Sequence, residues 1–215
     1  MVATPLARPR LRGVSHHVAC YVAVVAGAVL VALSGDRRTM LVMALYTLLL
    51  SGMFGVSARL HRRDWSGRSF GWWRRADHAM IFACIAGTYT PYCVLGLDSP
   101  VGDRLLLLGW LAAGLGILRA LLWPHAPRLV TAGLFVAAGW VMAVYFPEIR
   151  AAIAPLPFAL LIAGGVWFTL GAVVYAIKWP DPVPTVFGYH EVFHVMIICG
   201  CACHFVSVAH VALVR

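Results

Sequence analysis

His190, Glu191 and His194 spell His-Glu-Val-Phe-His. The H-E-x-x-H pattern sets two imidazoles four residues apart on one helix face, the spacing at which both reach one zinc ion. In soluble zinc proteases the Glu is the general base, and a third ligand follows downstream, either an acidic residue or a His in an extended motif. Neither is present here. No acidic residue follows Glu191, and Ile197 and Gly200 stand where the extended motif requires a glycine and a histidine. His204 lies ten residues beyond His194, about 15 Å further along one continuous helix, too far to share its ion. The third ligand is therefore expected from another helix.

The surroundings of the motif set its solvent. The chain has 215 residues, 62% of them hydrophobic and 12% charged, with a mean hydropathy of +0.86. A soluble domain of this size carries about twice that charged fraction. A hydrocarbon core roughly 30 Å thick needs about 20 apolar residues per helix. Seven stretches qualify, near residues 18–33, 40–60, 77–97, 105–123, 129–146, 152–177 and 190–213. Backbone in lipid must satisfy its own hydrogen bonds, so each reads as a helix. The expectation is an all-α integral membrane bundle of seven helices, a single domain over 1–215. The first stretch is long and is followed at once by a second, so no cleavable leader is expected.

Alternate loops collect the basic residues. Arg8, Arg10, Arg12, Arg59, Arg62, Arg63, Arg68, Arg74, Arg75, Arg119, Arg128 and Lys178 fall on one side, against Arg37, Arg38, Arg104, Arg150 and Arg215 on the other. The positive-inside rule puts the amino terminus in the cytoplasm and the carboxy terminus outside. The net charge of +9 is then a topological signal, with affinity for anionic headgroups and no call for nucleic acid. Trp65, Phe70, Trp72 and Trp73 read as an aromatic belt at the same boundary.

On that side, polar residues intrude at three helix ends. Ser57 and His61 close the second helix, Asp77 and His78 open the third, and His190, Glu191 and His194 open the seventh. Ionisable groups in a membrane are costly and mark functional sites, although Asp77 alone reads equally well as a helix N-cap. Ser57 and His61, like His190 and His194, differ by about 40° around a helix and about 6 Å along it. His61 is the one histidine of the second helix, at the right depth to complete the set. His16 and His17 read as interfacial residues ahead of the first helix. His204 reads as a hydrogen-bonding residue within the bundle. Cys199, Cys201 and Cys203 read as small apolar residues, and no disulfide framework is legible. Gly87 and Pro91 are expected to shape a close crossing or a kink in the third helix.

Several motifs in order carry a resemblance. Ser57-Ala-Arg-Leu-His61, Asp77-His78-Ala-Met-Ile followed by Ala86-Gly87-Thr88-Tyr89-Thr90-Pro91, and Phe187-Gly188-Tyr189-His190-Glu191-Val-Phe-His194 resemble the hemolysin III branch of the progestin and adipoQ receptor (adiponectin receptor-like) family. The prolines at 180, 182 and 184 fit it too, while helices four to six match mainly in hydropathy. The resemblance implies zinc held by His61, His190 and His194 near the cytoplasmic face of a multi-pass protein of the cell membrane, such as the bacterial inner membrane. It implies that Asp77 holds the metal-bound water and that Ser57 lines the pocket. Arg59 departs from the family pattern. It points about 160–200° away from Ser57 and His61 and is expected to snorkel toward headgroups.

Zinc lowers the pKa of water toward about 7; Asp77 would accept its proton and Ser57 would donate to a substrate carbonyl. The implied activity is hydrolysis of an amide or ester in a lipid-like substrate from the membrane, by analogy with the family's eukaryotic members and with membrane ceramidases. The alternatives are a receptor or membrane-homeostasis protein with a structural zinc site, and a pore-forming hemolysin.

Overall fold

The structure, a computed structural model, describes residues 8–214. Arg215, counted above in the charge balance, lies outside the described residues. Seven helices long and apolar enough to cross a membrane follow one another: α1 (Val14–Ala32), α2 (Arg37–Arg62), α3 (Gly67–Gly96), α4 (Val101–Leu122), α5 (Arg128–Ala152), α6 (Pro155–Ile177) and α7 (Tyr189–Leu213). There is no strand among the described residues. Each helix packs against its neighbours in the chain, and α7 returns to α1, so the order around the bundle follows the sequence. α3 also touches α5 and α7. It is the enclosed helix: 56% of its apolar window is buried, against 22–39% in the other six.

Side chains the size of a hydrogen atom let backbones approach where ridges meet. A Cβ on Gly27 of α1 would lie 2.1 Å from Thr47 Cγ2 of α2, and one on Gly87 of α3 would lie 2.7 Å from Leu49 Cδ1. Gly87 therefore makes the close crossing expected of it. Pro91 ends the α-helical part of α3, and Tyr92–Gly96 continue as one π-helical turn, a local widening that accommodates the missing N–H.

α3 differs most from its expected span. It starts at Gly67 rather than at Asp77. Ten helical residues precede Asp77, about 15 Å of helix, so Asp77 neither opens the helix nor caps it. Hydropathy misses this segment because it is built from Arg and Trp. There the cations stack on rings: Arg75 lies 5.5 Å from the Trp72 ring, and Arg59 of α2 lies 5.1 Å from Trp73 and 5.5 Å from Trp65. α1 also starts earlier than expected, at Val14.

α5 is broken. An α-helix over Arg128–Trp140 passes into a 3₁₀ segment at Val141–Tyr145 and resumes at Phe146–Ala152. Such a break frees backbone groups that lipid cannot satisfy. The Tyr89 hydroxyl of α3 meets them: it lies 2.7 Å from both the Ala138 and Gly139 carbonyl oxygens and accepts from Met142 N at 3.2 Å. A second polar relay ties three helices, with Tyr92 donating to Ser207 and Ser207 to the Pro157 carbonyl, each at 2.7 Å.

Tyr89→Phe keeps the ring but strips these backbone groups of their partner. The expected loss is about 1–3 kcal/mol, seen as a lower thermal midpoint in detergent. An unchanged midpoint would contradict the role given to Tyr89.

Candidate metal centre

Each candidate ligand sits on a helix end that local chemistry holds in place. At the start of α7, Gly188 N donates to Glu191 Oε2 at 2.9 Å, and Tyr189 N donates to Asp181 Oδ1 at 2.8 Å. Carboxylates on the free N–H groups of a helix start are favourable partners for its dipole. His190 and His194 then fall in the first two turns, on the face toward the bundle. Ser57 and His61 occupy the last two turns of α2.

His61, His190 and His194 converge. One ring nitrogen from each lies within 4.8 Å of the other two. His61 Nε2 and His190 Nε2 are 3.2 Å apart, and the ring centroids are separated by 4.6, 5.1 and 4.4 Å for the pairs 61–190, 61–194 and 190–194. A tetrahedral ion bound at about 2.1 Å holds two such nitrogens about 3.4 Å apart. The donor set therefore fits a small transition-metal ion. Imidazole suits zinc, and also iron, copper and nickel. No other group of three metal-capable side chains converges in this way among the described residues.

The remaining sequence candidates divide. Ser57 of α2, the helix that carries His61, and Asp77 of α3 line the same cavity. His78 lines the same cavity, with its ring 6.0 Å from Phe135, and is outside the three-histidine group. Glu191 is 1% exposed, and its second oxygen lies 2.6 Å from Arg12 Nε. Capping α7 and pairing with Arg12 occupies the carboxylate. His204 meets the Leu161 carbonyl at 3.0 Å, as expected of a bundle residue. The six cysteines are all free. Arg59 is exposed, and its guanidinium lies over the rings of Trp65 and Trp73. Of the aromatic belt, Trp72 is exposed, while Trp65 and Phe70 help line a cavity.

That cavity measures about 620 Å³ and the triad forms part of its lining. Arg8, Arg12, Arg63, Arg74 and Arg128 also line it. Ser57, His61, Asp77, His190 and His194 line its upper wall, and Leu50, Ile85, Phe168 and Ile197 are among the apolar residues that line it deeper in. It reaches His204 and Leu161, about 15 Å below His194 along α7.

One residue at the centre runs against expectation. His16 lies inside α1, not ahead of it, and is 4% exposed with its ring against His194. A signal for it exists in the sequence. The buried residues of α1 are His16, Ala23, Gly27 and Leu30, a stripe at spacings of seven, four and three that marks one helix face. His17, about 100° further around the helix, is exposed.

Comparison with known proteins matches residues 5–205 to the family described as Haemolysin-III related. Among similar proteins are one named Hemolysin-3 homolog from Bacillus subtilis (strain 168) and one named Hemolysin-3 from Bacillus cereus, each 29% identical over 132 residues. Those residues are 61% of this chain but 59% and 58% of the two relatives, so the chain spans about three-fifths of their length.

The Arg12–Glu191 contact orders two substitutions. Arg12→Ala leaves a buried carboxylate without its cation, at a cost of about 3–5 kcal/mol. Glu191→Gln retains an oxygen for Gly188 N, and the partly exposed Arg12 reaches water. Thermal melting should place Arg12→Ala well below Glu191→Gln. The reverse order would contradict the structural role given to Glu191.

Proposed function

Because the chain belongs to the haemolysin-III-related family, we propose that this seven-helix membrane protein is a metal-dependent hydrolase that cleaves an amide or ester bond in a lipid-like substrate. The proposed metal is zinc, held by His61, His190 and His194. The distribution of arginines supports an orientation with this face in the cytoplasm and the carboxy terminus outside.

One observation carries the reading: the three imidazoles sit in the wall of an apolar cavity that also holds Asp77 and Ser57. A structural zinc site is usually closed by four protein ligands, whereas a catalytic one keeps three and an open position. Three histidines facing open volume support the second kind. When bound, such an ion supplies Lewis acidity and lowers the pKa of water.

The protein groups then divide the work. Asp77 orients the attacking water and takes its proton as the new C–O bond forms. Ser57, beside Asp77 in the lining of the cavity, donates to the substrate carbonyl as charge develops on its oxygen. The amine or alcohol leaves with a proton, and the acyl group departs as a carboxylate. The apolar wall below the triad suits the acyl chain, and the arginines that line the cavity suit a polar headgroup. Low dielectric strengthens each of these polar contacts.

The test uses purified protein in lipid nanodiscs, with bound metal measured by mass spectrometry and turnover followed on a panel of N-acyl and O-acyl lipids. His190→Ala should lose both the ion and turnover. Asp77→Asn should keep the ion and lose at least about 100-fold in rate. Full turnover by His190→Ala would overturn the proposal.

A further inference from the structure

The three-histidine group takes nothing from α1, yet the first turn of α1 touches both helices that carry it. The His16 ring lies flat on the His194 ring, with centroids 3.7 Å apart and planes 6° from parallel. Phe54 of α2 holds the His16 ring from its edge, at 5.1 Å and 67°. Just ahead of it, Gly13 has φ +74°, and a Cβ there would lie 2.7 Å from His61 Cβ. Arg12 pairs with Glu191. Arg10 N and Leu11 N donate to the Thr185 and Val186 carbonyls, each at 3.0 Å, in the loop that leads into α7. This segment thus registers α1 against His61 on one side and His194 on the other.

The stacked geometry separates two roles for His16. An imidazole binds a metal through a lone pair that lies in the ring plane. Two parallel rings stacked at 3.7 Å aim their lone pairs along parallel planes, which do not meet at one ion. His16 is therefore not a fourth ligand beside His194. What it does restrain is rotation. A histidine ring turns about its Cβ–Cγ bond in a broad, shallow well, and that rotation sweeps its nitrogen off the ion. A flat ring against one face, itself wedged by Phe54, leaves His194 one orientation.

We propose that His16 is a positioning residue of the metal centre: stacked on His194, it fixes the plane in which that imidazole meets the ion shared with His61 and His190. The proposal rests on reading the triad as a metal centre. Partners that orient a metal ligand typically change affinity by about 10–100-fold when removed.

The test compares His16→Phe with His16→Leu in full-length protein in detergent. Both fill the buried space and neither can ligate; only Phe keeps a flat ring. Zinc affinity is measured by competition with a chromophoric chelator, the visible spectrum of the cobalt-loaded protein reports ligand geometry, and melting of the metal-free protein reports folding. His16→Phe should bind zinc as wild type does, with the same cobalt spectrum. His16→Leu should bind about 10–100-fold more weakly and show an altered spectrum, while the two metal-free variants melt alike. Wild-type affinity in His16→Leu would overturn the proposal, and so would equal losses in both variants, which would trace the effect to the ring nitrogens. Wild-type protein that binds no ion would remove the metal centre and this proposal with it, a result distinct from either.

Discussion

Three imidazoles from two distant parts of the chain are packed within 4.8 Å of one another, below the surface of a membrane bundle. Buried polar groups need partners, and three ring nitrogens that converge on one point cannot all be satisfied by one another. A cation shared among them resolves the conflict, and no carboxylate stands among the three to compete for it. Holding the rings at that separation is the demand that organises this end of the molecule. The carboxylates of Glu191 and Asp181 secure the start of α7, and Arg12 secures Glu191 in turn. Spanning segments must keep their backbone helical, so a site of this kind is assembled from side chains near helix ends, all at one face.

The remainder of the bundle frames the volume beside that cluster. α3 runs through the middle and carries Asp77 at one depth and Tyr89 twelve residues further on, where its hydroxyl serves the broken backbone of α5. The 3₁₀ interruption of α5 occurs where that helix borders the cavity, and Met142 within it lines the wall. Irregular backbone at membrane depth is tolerated where protein or a cavity covers it, and both are present here. The result is a largely apolar volume with its charged side chains gathered at the end that holds the three imidazoles.

Much of this was legible in the sequence because it depends on strong, local signals. Seven runs of apolar residues can only be helices in lipid, and His190 with His194 declare a shared face by their spacing. The missing third ligand was legible by the failure of the downstream sequence to provide one. What was not legible depends on pairing across helices. Asp77 looked like the opening of α3 because the preceding turns carry Arg and Trp, which lower hydropathy without breaking a helix when the cations lie on the rings. Glu191 sits inside a catalytic signature, and only its contacts with Gly188 N and Arg12 explain why it is structural. His16 looked interfacial beside His17, although its register with Ala23, Gly27 and Leu30 places it on the buried face of α1. In each case the residue type was plain and its partner was not.

The central claim is that His61, His190 and His194 hold one ion and leave a position open. X-ray absorption at the metal edge of the purified protein tests it most directly. The expected spectrum is that of zinc with three imidazole nitrogens at about 2.0–2.1 Å and one further light atom from solvent. A centre closed by four protein ligands, or protein with no bound metal, would contradict it.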